Sequence, residues 1–259
     1  MEPRAALAAR ALALVDLTEL SDTCTVEAID RLCERAVGPH GRTAAVCVWP
    51  RFVSHAAFRL RGSHVAIATV VNFPAGGDGI DATVAEAVRA LHDGADEIDL
   101  VLPYHSFLNG NTAVAEAMVA AVRAVVHHPN RLKVILETGS YPDRGHVSAA
   151  ARLAIDHGAD FVKTSTGKTK VSATPEAAEA MLHVIRESGK PVGLKPSGGI
   201  RSLDDAAVYL ELADRIMGPE WATPATFRFG ASGLLDALEA AIAGDGDADG
   251  DVARGDAAY

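Results

Sequence analysis

Two short apolar runs each carry a lysine: Phe161-Val162-Lys163-Thr164-Ser165 and Val192-Gly193-Leu194-Lys195-Pro196. A third run, Glu97-Ile98-Asp99-Leu100-Val101-Leu102, carries an aspartate in the same interior way. Lysine and aspartate are seldom fully buried unless paired, and a desolvated ammonium costs several kcal/mol. One reading is an ion-pair network that only holds the fold together. Two lysines against one nearby carboxylate, however, leave a surplus cation. That is poor structural design but useful chemistry.

The chemistry is that of an activated amine. A lysine of pKa ~10.4 is neutral in only about one part in 2,500 at pH 7. Lowering it to about 7 makes half of it neutral, at a cost of ~4.6 kcal/mol. Desolvation and a neighbouring ammonium can supply that shift. Such an amine attacks a carbonyl to form a Schiff base, and the iminium is an electron sink that permits carbon–carbon bond cleavage without metal or cofactor. Asp99 with the second lysine would move protons to and from the substrate hydroxyl and the enamine carbon. Strand spacing alone does not choose between Lys163 and Lys195 as nucleophile.

These residues must be held by strands. Short β-branched runs at 14–18, 44–48, 65–71, 97–102, 132–137, 161–165, 192–195 and 227–230 alternate with alanine-rich helical segments. The helical segments lie at 80–92, 113–127, 146–156, 175–188, 203–212 and 234–242. Strands separated by helices, at roughly 30 residues per unit, are βαβ units of a parallel sheet. Eight of them close an α/β single-domain (β/α)8 TIM barrel, a fold of ~250 residues. Gly94 and Gly158 end helices, and Thr174-Pro175 opens one. The count has two soft points: 14–18 could belong to an N-terminal helix, and 213–217 could be a strand. Taking 14–18 as the first strand makes the Lys195 strand the seventh. An open doubly wound sheet is the alternative architecture. The barrel domain spans 1–243, with an extra N-terminal helix near 1–10.

The loops after the seventh and eighth strands, Pro196-Ser197-Gly198-Gly199-Ile200-Arg201 and Phe229-Gly230-Ala231-Ser232-Gly233, each lead into a helix. Their glycines let backbone N–H groups approach an anion, at the barrel positions that commonly hold phosphate. Arg201 and Lys168 are the cations available. Two ordinary glycine-containing turns are the plainer reading of either loop alone. Gly167-Lys168-Thr169 mimics the end of a P-loop, but the required earlier glycine is Val162, which argues against a nucleotide site. Asp245, Asp247, Asp249 and Gly250 mimic a calcium loop that lacks its glutamate and following helix. His127-His128 ends a helix without a carboxylate cluster, so no metal site is expected. Cys47, in an apolar strand, reads as a small core residue rather than a nucleophile.

Composition agrees with an enzyme of small molecules. The chain has 259 residues, 49% of them hydrophobic but only 5% aromatic, and a net charge of −10. Its pI near 5.4 argues against nucleic acid or an acidic membrane surface as partner. Cys24, Cys33 and Cys47 lack metal-type spacing and read as reduced thiols. No signal-peptide core or membrane-length run occurs, so a cytoplasmic location is expected. Residues 244–259 are Gly/Asp/Ala-rich and predict a flexible acidic tail, ending in Tyr259.

In order along residues 14 to 238, the motifs Asp16-Leu17-Thr18, Val46-Cys47-Val48, Asn72-Phe73-Pro74-Ala75-Gly76-Gly77, Glu97-Ile98-Asp99, Leu136-Glu137-Thr138-Gly139, Phe161 to Lys168, Lys195 to Arg201 and Phe227 to Ser232 resemble the deoxyribose-phosphate aldolases. The resemblance implies a class I aldolase that reversibly splits 2-deoxy-D-ribose 5-phosphate into D-glyceraldehyde 3-phosphate and acetaldehyde. It implies Lys163 as the Schiff-base lysine, Lys195 as the lysine that perturbs it and Asp99 as the proton relay. Asp16 and Cys47 match lining positions. Thr164, Gly167, Lys168, Gly198, Gly199, Arg201, Gly230, Ser232 and Gly233 match the substrate and phosphate region. Tyr259 matches a C-terminal tyrosine that in some members reaches the site to assist proton transfer. Members are often homodimers. One departure is Gly233, where many members carry a second serine. Its backbone N–H remains, so a modest change in phosphate affinity is expected. Other readings are a transaldolase-like Schiff-base barrel and a catalytically silent sugar-phosphate binding protein.

Overall fold

A computed structural model describes residues 3–244. The expected tail and Tyr259 lie outside the described residues. Among those described, eight strands form one parallel sheet in the order β7-β6-β5-β4-β3-β2-β1-β8. They are β1 (Val15–Glu19), β2 (Ala45–Val48), β3 (Ala66–Val71), β4 (Glu97–Val101), β5 (Arg131–Ile135), β6 (Phe161–Lys163), β7 (Gly193–Lys195) and β8 (Phe229–Ala231). The ends of the sheet meet. Leu194 N–H donates to Thr226 O at 2.9 Å, Arg228 N–H to Leu194 O at 3.0 Å and Gly230 N–H to Pro196 O at 2.9 Å. These bonds close β7 against β8, and the chain is a (β/α)8 barrel. The segment at 14–18 is indeed the first strand, and 213–217 continues the helix Leu203–Met217.

Helices form where the sequence offers a stripe for the sheet and a cap. Ile80–His92 buries Thr83, Ala87 and Ala90, a helical spacing that covers the barrel with small side chains. Pro175–Ser188 starts at Thr174, whose hydroxyl accepts from Ala177 N–H at 3.2 Å, and stops at Gly189 with φ 63°. The N-terminal helix runs Arg4–Leu12, packs against the last one, Leu234–Ala243, and ties down through Arg10 to Asp214 at 2.6 Å. Three helices, Val26–Ala36 and the shorter Val53–Arg59 and Tyr104–Leu108, have no counterpart in the sequence reading.

Alternation along the strands divides the interior in two. Ile98, Leu100, Val134, Val162 and Leu194 point outward into the large core beneath the helices. Each such side chain contributes ~1.5–3 kcal/mol on burial. The alternate residues, Asp16, Glu97, Asp99, Lys133, Lys163 and Lys195, point into the lumen. The outer core therefore carries the fold and allows the lumen to be charged.

Candidate active site

In-register pairing brings the lumen residues together. Asp99 on β4 pairs with Lys133 on β5, and Lys163, the last residue of β6, pairs with Lys195, the last of β7. Asp99 is wholly buried and is the hub. Its Oδ1 takes Lys133 Nζ at 2.9 Å, while its Oδ2 takes Lys163 Nζ at 2.9 Å and Lys195 Nζ at 2.8 Å. Asp16 on β1 is the second carboxylate. Its Oδ2 lies 2.6 Å from Lys195 Nζ and 3.6 Å from Lys133 Nζ, and its Oδ1 accepts from Arg228 at 2.5 Å. Glu97 closes the floor, 2.5 Å from Lys133 and 2.8 Å from Arg228. The buried set holds four bases, Lys133, Lys163, Lys195 and Arg228, against three acids, Asp16, Glu97 and Asp99. A surplus cation persists, although the full cast is larger than sequence reasoning identified.

The two lysines differ in their partners. Lys195 has two carboxylates within 2.8 Å, whereas Lys163 has only Asp99, which it shares. Burial disfavours the ammonium at both positions. At Lys195 the attraction of Asp16 and Asp99 overcomes burial and raises the pKa above the ordinary 10.5. At Lys163 burial, with repulsion from Lys195, outweighs Asp99, and the pKa falls below 10.5. Asp16 and Asp99 are themselves held below the ordinary carboxylate range: burial opposes this, but the surrounding cations prevail. Lys163 is therefore the amine most readily freed of its proton.

Small residues make room for the charges. A Cβ on Gly230 would stand 3.1 Å from Lys195 Cε and 2.5 Å from Ser197 Cβ, so a side chain there would push into the lysine. Cys47 belongs to an apolar wall with Leu20, Ala45, Ala68 and Val70, bordered by Phe73. Burial raises its thiol pKa, so it stands as a neutral part of that wall. Val101 and Ile135, two residues beyond Asp99 and Lys133, form a second apolar patch with Tyr104 next to Lys163.

The remaining expected residues surround the mouth. Thr164 Oγ1 accepts from Ser197 N–H at 2.9 Å and donates to Ser197 O at 3.3 Å, stitching β6 to β7. Lys168 reaches across the mouth, donating to Leu20 O at 2.9 Å, with Asp22 at 3.8 Å. Gly198 and Gly199 are successive left-handed residues, φ 82° and 81°, a turn that side chains resist. Arg201 is exposed ahead of the helix Leu203–Met217. That helix is closed by its own capping box between Ser202 and Asp205. Ser232 and Gly233 are exposed at the start of Leu234–Ala243, which has no side-chain cap. The Gly198-Gly199 and Ser232-Gly233 turns are neighbours, since Gly198 N–H donates to Gly230 O at 3.3 Å. Tyr259 lies outside the described residues.

Three contributors were missed: Glu97, Lys133 and Arg228. Lys133 and Arg228 each sit between apolar neighbours, the same signal that marked Asp99, whereas Glu97 follows Asp96 at the very start of its strand and carries no such mark. Arg228 and Glu97 also line an open cavity of about 470 Å³ at the opposite, amino end of the strands, with His64 and Arg131.

Two lysines at the carboxyl ends of β6 and β7, set over buried charges that continue down the lumen, are the layout of a barrel enzyme. Residues 10–239 match the DeoC/LacD family aldolase domain, and the chain belongs to that family and is an aldolase. It is 52% identical over 243 residues to the deoxyribose-phosphate aldolase of Agrobacterium fabrum, covering 93% of each chain. Among solved structures it resembles the apo form of a candidate deoxyribose-phosphate aldolase from Toxoplasma gondii ME49, with a TM-score of 0.84 at 29% identity over 93% of this chain and 97% of that one. It also resembles the tetrameric deoxyribose phosphate aldolase of Aeropyrum pernix, with a TM-score of 0.74 at 25% identity over 93% and 92%. Among the described residues no helix is long and apolar enough to cross a membrane.

Proposed function

We propose that the protein reversibly cleaves 2-deoxy-D-ribose 5-phosphate to D-glyceraldehyde 3-phosphate and acetaldehyde through a Schiff base on Lys163. The observation that carries this reading is the unequal pairing of the two lysines. Lys195 is held protonated between Asp16 and Asp99, while Lys163 shares one carboxylate and is desolvated. Its neutral amine attacks the aldehyde carbon C1, and loss of water gives the iminium. A base then removes the proton of the C3 hydroxyl, the C2–C3 bond breaks, and its electrons move into the iminium to form an enamine. Glyceraldehyde 3-phosphate leaves. Protonation at C2 and hydrolysis release acetaldehyde and restore the amine. Asp99, which touches both lysines, and the ammonium of Lys195 suit the proton transfers.

The phosphate fits the turns after β7 and β8. The uncapped start of Leu234–Ala243 leaves backbone N–H groups unclaimed by a side chain, and Gly198 and Gly199 border it, with Lys168 and Arg201 as cations at the mouth. We place the reaction in the cytoplasm, where the free thiols of Cys24, Cys33 and Cys47 would persist.

The test is turnover of 2-deoxyribose 5-phosphate, followed by the glyceraldehyde 3-phosphate it releases, in the unmodified protein and in Lys163→Leu. Turnover that vanishes in the folded variant supports the reading. A preference for longer ketose phosphates would favour a transaldolase-like activity, and binding without turnover a silent sugar-phosphate binding protein.

A further inference from the structure

Glu137 lies just past the end of β5, wholly buried, and none of the ion-pair contacts among the described residues involves it. A buried carboxylate without a cation is costly, so its donors are informative. All come from one segment, the loop after β6. Thr166 Oγ1 donates to Glu137 Oε2 at 2.5 Å, Thr166 N–H lies 3.3 Å from Oε1, and Thr169 Oγ1 donates to Oε1 at 3.2 Å. The backbone is arranged to allow this. Glu137 has φ 58° and ψ 55°, a left-handed conformation that a side chain adopts only under constraint. Its neighbours hold the turn in place: Leu136 N–H donates to Lys163 O at 2.9 Å and Thr138 N–H to Thr164 O at 2.8 Å. Between the two threonines that Glu137 grips lie Gly167, with φ 77°, and Lys168, whose N–H donates to Thr166 Oγ1 at 3.1 Å.

We propose that Glu137 is a positioning residue for the substrate's phosphate: its carboxylate pegs the Thr166–Thr169 loop so that Gly167 and Lys168 face the anion. It touches no reacting atom. It fixes the loop on the strand next to the nucleophile, and its left-handed backbone and buried carboxyl group are the cost of that fixation. This role rests on the reading that the loop after β6 contributes to a phosphate site.

The test compares 2-deoxyribose 5-phosphate with unphosphorylated 2-deoxyribose in Glu137→Gln, which keeps shape but weakens the acceptor. Loss of one hydrogen bond to a charged group corresponds to about a tenfold rise in KM for the phosphorylated sugar. The expected kcat for that sugar, and kcat/KM for 2-deoxyribose, are unchanged. Thr166→Val should reproduce the effect and Thr166→Ser, which retains the hydroxyl, should restore the normal KM. That pair keeps the test available if Glu137→Gln fails to fold. Equal losses for both sugars, or Thr166→Val matching the unmodified protein, would overturn the role of Glu137 while leaving the phosphate reading intact. No discrimination between the sugars in the unmodified protein would overturn the phosphate reading, and the peg with it.

Discussion

Lys163 and Lys195 donate to the same oxygen of Asp99, at 2.9 and 2.8 Å, but only Lys195 has a second carboxylate, Asp16, at 2.6 Å. The same ionic network thus contains one lysine stabilised as an ammonium and one that burial drives towards the neutral amine. The network separates two chemically identical side chains by partner count.

Lys195→Met removes the ammonium that repels charge on Lys163 and leaves more of Asp99 to it. Both changes favour protonated Lys163. The acid limb of the pH profile of kcat/KM should move to higher pH by about one unit or more, each unit corresponding to ~1.36 kcal/mol. An unmoved limb, or one shifted to lower pH, would show that Lys195 does not tune the nucleophile.

The surplus cation has a consequence for stability. Because Lys163 has a folded-state pKa below 10.5, its protonated form opposes folding at neutral pH, and this penalty is relieved as pH rises and the proton is lost. Lys163→Met also leaves three bases facing three acids. It should be neutral or stabilising. Lys133→Met, by contrast, strips Glu97 and Asp99 of a shared partner in a dry lumen and should cost about 3–5 kcal/mol. Urea denaturation of the two variants measures both, and equal losses would contradict the charge count.

Acid should unfold the protein through the lumen. Asp16, Glu97 and Asp99 each have folded-state pKa values below their ordinary 3.8 to 4.5. The unfolded chain therefore binds their protons more readily. The stability they supply is present above that range and is lost as pH falls through it towards the folded values. Circular dichroism at a fixed moderate urea concentration should show a steep fall in stability below about pH 4.5. Stability that stayed level down to pH 3 would mean that these carboxylates are not ionised partners.

Much of the barrel was legible because each strand is short, β-branched and separated from the next by a long helical stretch. The helices at 80–92 and 175–188 carry their caps and stripes in the sequence and fall where expected. Tyr104–Leu108 and Val53–Arg59 were missed because five and seven residues are too few for a helical period to stand out. Asp99, Lys163 and Lys195 were legible as charges in apolar runs. Lys133, in Arg131-Leu132-Lys133-Val134-Ile135, carried the same mark and was passed over, as was Arg228 between Phe227 and Phe229. Which lysine loses its proton was not legible from strand spacing. It depends on Asp16 of the first strand reaching Lys195 of the seventh, a contact that exists only once β8 closes the barrel. Nor was the grip of Glu137 on Thr166, which requires a left-handed residue where the strand pattern simply ends.

The assignment of Lys163 as nucleophile is tested most directly by trapping. Acetaldehyde and borohydride are added to the folded protein, and the modified peptide is mapped by mass spectrometry. The account predicts a two-carbon adduct on Lys163, with Lys195 unmodified. An adduct on Lys195 with Lys163 untouched would contradict it, because the lysine held between two carboxylates would then be the one that reacts.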